Sequence, residues 1–278
     1  MTLRDDEPSL PPEVLAYYAR GGEAPRLSRG HGLLEGARTR EIISRHLPAP
    51  PRVVVDVGGG PGIYACWLAG LGHDVHLVDA SPLHIEQAQA ASARQPTSPL
   101  TSVRRGDARR LVQAEASVDA VLLLGPLYHL TERADRLAAL REARRILKVD
   151  GVLFAAAVTR FASLLDGLVS GYLGDTEYVR IVEDDLKTGQ HRNPTPRDYF
   201  TTSFFHLPEE LEREVTEAGF VIEELVGVEG PGWLLSDLEM RWTDPEQRRQ
   251  LLDAARAVER APSLLGLSPH LVAVGKKR

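Results

Sequence analysis

The spacing of apolar residues changes several times along the chain, and each change marks an element. From 11 to 47 the spacing is helical: Val14, Leu15 and Tyr18 share one side, and Leu33, Leu34, Ile42, Ile43 and Leu47 form a second stripe. Two helices are expected there. Residues 48–51, Pro-Ala-Pro-Pro, end the stripe, because proline has no amide hydrogen to donate and disfavours helical backbone in the residue before it. Short β-branched runs then alternate with helical runs, the pattern of βαβ units in a mainly parallel sheet. Strands are expected at 52–57, 74–78, 102–106, 118–124, 151–158, 221–228 and 271–275, with helices at 62–71, 82–92, 109–114, 131–147 and 208–218. The expected fold class is α/β, a doubly wound, mostly parallel sheet of seven strands.

The run 161–206 breaks this rhythm. It mixes a short apolar helix around 164–173 with charged and aromatic residues and a proline-containing loop at 191–196, and it falls between the fifth and sixth strands. An excursion of that length in a compact domain is usually a lid or a binding element. The expected organisation is therefore an N-terminal helical cap over 1–50 and one domain over 51–278, with 161–206 as a lid or substrate-binding insertion. No internal repeat or low-complexity tract is evident.

Composition narrows the class. With 278 residues, 43% of them hydrophobic, the chain can bury a full core without disulfides. A net charge of -6 disfavours a nucleic-acid partner, since such partners are held by clustered Lys and Arg. The single cysteine, Cys66, rules out an intrachain disulfide and cysteine-rich metal sites, and no metal is expected. Cys66 and Trp67 read as core residues of the helix after the first strand. The start of the chain, acidic and polar over 1–10, lacks the basic and apolar regions of a signal peptide, which points to a cytoplasmic location. No run approaches the ~20 apolar residues of a membrane helix.

The sharpest local signal is Val53-Val54-Val55-Asp56-Val57-Gly58-Gly59-Gly60-Pro61-Gly62, a buried strand entering a glycine turn and then a helix. Glycines let backbone approach a ligand closely, and the helix start offers unpaired amides, so a nucleotide-like ligand fits. The dinucleotide fingerprint needs glycine or alanine where this chain has Ile63, which disfavours a nicotinamide-dependent oxidoreductase. The second strand ends in Asp79, whose carboxylate can accept hydrogen bonds from ribose hydroxyls. Gly106-Asp107-Ala108 and the strand from Asp119 to Leu124 reach the same carboxyl edge of the sheet.

This ordered set, Asp56-x-Gly58-x-Gly60-x-Gly62, then Asp79, Gly106-Asp107-Ala108 and the Asp119 strand, resembles the class I methyltransferases that use S-adenosylmethionine. The likeness spans about residues 50–160 and is nearest to small-molecule enzymes of the ubiquinone-biosynthesis type. It implies a Rossmann-like methyltransferase fold, with the turn around Gly58 and Gly60 holding the methionine part of the donor. Asp79 would take both ribose hydroxyls, Asp107 and Ala108 the adenine, and the Leu124 carbonyl would lie near the amino group. Asp56 would sit beneath the turn. A segment before the first strand covers the donor in such enzymes, which makes Tyr18 and Arg26 its expected contacts, Arg26 at the methionine carboxylate.

The reaction centre is less legible, because a sulfonium is already a strong leaving group and the enzyme mainly aligns the acceptor and excludes water. If the acceptor loses a proton, Tyr128 and His129, just after the fourth strand, are the first candidates for a base, and His206 is another. In the insertion region, Arg160, Tyr178, Arg180, His191 and Arg192 could contact a polar acceptor, with Tyr199, Phe200, Phe204 and Phe205 as an apolar wall. Residues 229–233, Glu-Gly-Pro-Gly-Trp, could close the other side. The expectation is methyl transfer from S-adenosylmethionine to oxygen, nitrogen or carbon of a small-molecule acceptor. A non-catalytic protein that binds S-adenosylmethionine is an alternative of another class, and a homodimer is compatible with the sequence.

Overall fold

The structure, a computed structural model, describes residues 10–278 apart from Pro196 and Asp198. The sequence reading of residues 1–9 therefore lies outside the described residues. Among the described residues the strands are β1 Val53–Val57, β2 Asp74–Asp79, β3 Ser102–Arg105, β4 Val118–Leu123, β5 Leu147–Val158, β6 Gln190–His191, β7 Ser203–Phe204, β8 Phe220–Gly227 and β9 His270–Lys277. Seven of them make one sheet in the order β3-β2-β1-β4-β5-β9-β8, parallel except for β9, which runs against both neighbours. The doubly wound, mostly parallel sheet expected from the alternation is thus present.

Both faces are covered, which is why the central strands read as continuous apolar runs. Val55, Val57, Val121, Leu123, Leu153 and Ala155 enter one core, while Val54, Ala120, Leu122, Val152 and Phe154 enter the other. That alternation is the period of two inherent in a strand. Helices α3 Ile63–Gly70 and α4 Pro82–Ala93 flank β2, and α2 Gly32–His46 supplies Ile42 and Ile43 to the same layer. Among the described residues no helix is long and apolar enough to cross a membrane.

Three local expectations need correction. The helix expected at 109–114 does not form, because the Asp107 carboxylate accepts from the Arg109 amide at 2.8 Å and ties the chain into a turn closed by an Asp107–Arg110 bridge. Helix α6 Arg133–Ile146 stops one residue short because Leu147 pairs with Val118, so β5 begins four residues earlier than expected. The insertion holds two helices, α7 Ala162–Ser170 and α8 Thr176–Thr188, and the β6-β7 hairpin. Gly171 at φ +76° ends α7, and the Asp175 side chain caps α8. A further helical excursion that the sequence reading missed, α10 Leu238–Thr243 and α11 Pro245–Val258, separates β8 from β9; Asp244 caps its second helix. Cys66 and Trp67 are partly buried against the sheet, and burial pushes the Cys66 thiol up from its ordinary value.

Candidate active site

The glycine turn is built by backbone geometry that other residues adopt at a cost. Gly58, Gly60 and Gly62 have φ of +69°, +56° and +88°. The Gly58 amide donates to the Val78 carbonyl at 2.7 Å, fastening the turn to β2. A Cβ on Gly58 would sit 2.6 Å from Pro126 Cδ, and one on Gly59 would sit 2.8 Å from Asp56 Cγ. A Cβ on Gly60 would meet nothing nearer than Glu23 Cγ at 3.7 Å, so that glycine faces open space. Two glycines are thus pressed on protein while the third fronts a cleft.

That cleft encloses about 1270 Å³ of atom-free space, its mouth included. Its wall contains Tyr18, Arg26, Asp56, Gly58, Gly60, Asp79, Asp107, Ala108 and Leu124, every residue that the sequence singled out for donor binding, and the base candidates Tyr128 and His129, but not His206. Asp79 closes β2. Its Oδ2 accepts from the Gly60 amide at 2.8 Å, and its Oδ1 accepts from the Ser81 amide at 2.8 Å and from His84 Nδ1 at 3.1 Å. Asp56 lies under the turn, 1% exposed, and its Oδ2 has no hydrogen-bond partner among the described residues. Burial, helped by the Asp79 charge, pushes its carboxyl up to about 7. Asp107 is held by two bonds from the Arg109 guanidinium, which also reaches Asp135 at 3.0 Å.

His129 sits on α5 Pro126–His129, the single turn that follows β4. Its Nδ1 lies 3.3 Å from the Thr202 carbonyl and its Nε2 2.6 Å from the Tyr18 hydroxyl. A carbonyl accepts only, so Nδ1 carries hydrogen and Nε2 offers its lone pair to Tyr18. Burial lowers the imidazole to about 4, which keeps it neutral near pH 7. Tyr18, on α1 Pro12–Tyr18, also stands edge-on to His84 at 5.0 Å. The cap thereby links residues 18, 84 and 129 across the cleft mouth. Burial raises the Tyr128 phenol above its usual range, so it stays protonated.

The opposite wall is ionic. Arg26 bonds Glu23 at 2.8 Å and also bonds Glu35. His270 Nδ1 donates to Glu229 Oε1 at 2.5 Å and lies 3.9 Å from Glu35. Burial alone would depress this imidazole, but the Glu35 and Glu229 carboxylates outweigh it and raise it to about 9. Sequence reasoning missed Glu23, Glu35, His84 and His270. Only His84 carried a local signal: it lies three residues after the Ser81 cap, on the helix turn that folds back toward Asp79.

The insertion candidates do not reach the cleft wall. Tyr178 donates to the Ser163 carbonyl, Arg160 pairs with Glu210, and His191 is clamped between Asp185 and the Tyr199 carbonyl. Phe204 and His206 are in edge contact, and His206 lies against Glu214. Phe205 stacks on His191. Arg180 and Arg192 are exposed. Phe200 comes nearest, its ring 6.0 Å from that of His129. In 229–233, Glu229 supports His270 and Trp233 donates to the Leu267 carbonyl.

Comparison with known proteins decides the family. The model of the family described as "Methyltransferase domain" matches residues 55–155, which carry the end of β1, the glycine turn, Asp79, Asp107 and His129. The ubiquinone biosynthesis O-methyltransferase of Azorhizobium caulinodans is 29% identical over 197 residues, 68% of this chain and 70% of that one. This chain is a class I S-adenosylmethionine-dependent methyltransferase. The same fold occurs in an S-adenosylmethionine-dependent methyltransferase of Mesorhizobium loti, with TM-score 0.58 and 16% identity over 88% of this chain and all of that one. It recurs in the geranyl diphosphate C-methyltransferase of Streptomyces coelicolor, solved with S-adenosyl-L-homocysteine, with TM-score 0.54 and 15% identity over 87% and 79% of the two chains. The methyltransferase takes S-adenosylmethionine as its donor, and its cleft suits that molecule. Open space at Gly60 and a His84 Nε2 with no partner among the described residues both lie in the wall that includes Asp79.

Proposed function

We propose that the methyltransferase delivers the methyl group to a hydroxyl oxygen of a small molecule, with His129 Nε2 receiving the proton. The observation that carries this reading is a buried, neutral imidazole whose Nε2 lone pair accepts from a hydroxyl, that of Tyr18, within the cleft lined by Gly60 and Asp79. The donor supplies an activated methyl whose sulfur leaves readily. Bond formation from a neutral hydroxyl makes its proton strongly acidic, so a base near 4 suffices as the O–C bond forms. Thr202 fixes the ring by its hydrogen bond to Nδ1. An acceptor hydroxyl would stand where the Tyr18 hydroxyl now stands. The name of the Azorhizobium relative, an O-methyltransferase, accords with transfer to oxygen.

In the same reading Asp79 binds ribose, Asp107 and Ala108 border the adenine, the Leu124 carbonyl lies near the donor amino group, and Arg26 holds the methionine carboxylate. Leu124, Ala156, Val228 and Val272 give the rest of the cleft an apolar lining suited to a small organic acceptor. The insertion over 161–206 acts from behind, through Thr202 and Phe200, by holding His129 and Tyr128. The test is methyl transfer from radiolabelled S-adenosylmethionine to matched phenols, anilines and carbon nucleophiles. Phenols should be methylated, and His129→Ala should lower kcat about 100-fold while leaving S-adenosylhomocysteine affinity unchanged. Turnover of amines or carbon acids alone, or an undiminished kcat in His129→Ala, would contradict the proposal.

A further inference from the structure

We propose that His84 is a second ribose acceptor of the donor site, its Nε2 taking one hydroxyl of the diol while Asp79 takes the other. The inference rests on the reading of this cleft as the donor site. A carboxylate offers about four lone-pair positions. At Asp79 three are already used, by the Gly60 amide, the Ser81 amide and His84 Nδ1. These three bonds shape the turn and start α4, so they belong to the fold. About one position remains, whereas a ribose diol presents two O–H groups.

His84 meets the remaining demand. Its Nδ1 faces a carboxylate that only accepts, so Nδ1 carries the hydrogen and Nε2 carries a lone pair. The residue is 4% exposed, and Nε2 has no hydrogen-bond partner among the described residues. A buried acceptor without a donor costs roughly 1–3 kcal/mol, so such an atom usually awaits a ligand or water. The ring lines the cleft, and the ideal Cβ of Gly60 would lie 4.0 Å from Nδ1, which puts the ring beside the open side of the turn. Ser81 caps α4 and Pro82 opens it, which sets His84 in the first turn, against the end of β2. Tyr18 stands edge-on to the ring and limits its swing.

The experiment is calorimetric binding of S-adenosylhomocysteine and its 2′-deoxy and 3′-deoxy analogues to wild-type protein, His84→Leu, His84→Gln and Asp79→Asn. His84→Leu should weaken S-adenosylhomocysteine binding about three- to tenfold. The loss should vanish with one of the two deoxy analogues, the one lacking the hydroxyl that Nε2 accepts, and persist with the other. His84→Gln, which retains an acceptor oxygen, should recover part of the affinity. Equal losses for all three ligands, or none, would overturn the proposal and leave Asp79 as the ribose residue. Failure of wild-type protein to bind S-adenosylhomocysteine would instead remove the donor-site reading, and this inference with it.

Discussion

Gly60→Ala separates the glycine turn as a piece of fold from the glycine turn as a binding surface. Gly60 has φ +56°, and left-handed backbone costs a residue with a Cβ about 1–2 kcal/mol. The new methyl adds no clash, since its nearest neighbour would be Glu23 Cγ at 3.7 Å. The variant should therefore fold, destabilised by about 1–2 kcal/mol, with Tm lower by roughly 2–8 °C. Its methyl would project into the cleft, toward the space proposed for the methionine part of the donor. The affinity for S-adenosylhomocysteine should fall at least about tenfold, which corresponds to about 1.4 kcal/mol. Gly58→Ala supplies the contrast. Its methyl would lie 2.6 Å from Pro126 Cδ, so overpacking of about 1–3 kcal/mol adds to the backbone strain. Urea unfolding and calorimetric binding on both variants should rank Gly58→Ala worse in stability and Gly60→Ala clearly impaired in binding although less destabilised. Wild-type affinity in a folded Gly60→Ala protein would refute the claim that this glycine fronts the donor.

Three further outcomes follow from the same geometry. His270 titrates near 9, above the ordinary 6.5, so its bonds to Glu229 and Glu35 stabilise the fold fully below pH ~6.5 and cease to do so as pH rises through 9. The stability gap between wild-type protein and His270→Gln, at most about 3 kcal/mol, should close between pH 7 and 10 in urea titrations; a constant gap would exclude the imidazolium. Asp56 titrates near 7 because burial disfavours its charge, so its contribution is present below pH ~3.8 and lost as pH rises through 7. Asp56→Asn should therefore lose less stability than wild-type protein between pH 4 and 8, and the reverse order would show an ionised Asp56 well served by donors. Arg136→Met strands the buried Glu214 carboxylate and should cost about 3–5 kcal/mol, yet leave S-adenosylhomocysteine affinity of the folded protein unchanged, because Arg136 is not a cleft residue.

What the sequence disclosed follows the range of the interactions involved. The sheet was legible because Val53–Val57 and Val118–Leu123 are apolar on both faces, a requirement of burial that any order of strands imposes. The glycine turn and Asp79 were legible because they are contiguous with those strands, and topology alone brings strand ends together. Tyr18 and His129 lie 111 residues apart, and their contact depends on how the cap folds over β4, which no local pattern encodes. The same holds for Glu35, Glu229 and His270, joined from the cap and from the region around β8 and β9. Asp107 looked like a free ligand in Gly-Asp-Ala, but an arginine two positions later occupies it and replaces the expected helix with a turn. Helices α8 and α11 have readable starts in Asp175 and in Asp244-Pro245, but the residues around them carry no strand-like rhythm to frame them as elements.

Every proposed residue role depends on the cleft between the glycine turn and Asp79 being the donor site of this methyltransferase. Calorimetry with S-adenosylhomocysteine on wild-type protein and on Asp79→Ala measures it most directly. A single saturable site in the wild type, weakened at least about tenfold in an Asp79→Ala protein that remains folded, is the predicted result. Equal affinity in the two proteins would place the donor elsewhere and contradict the account.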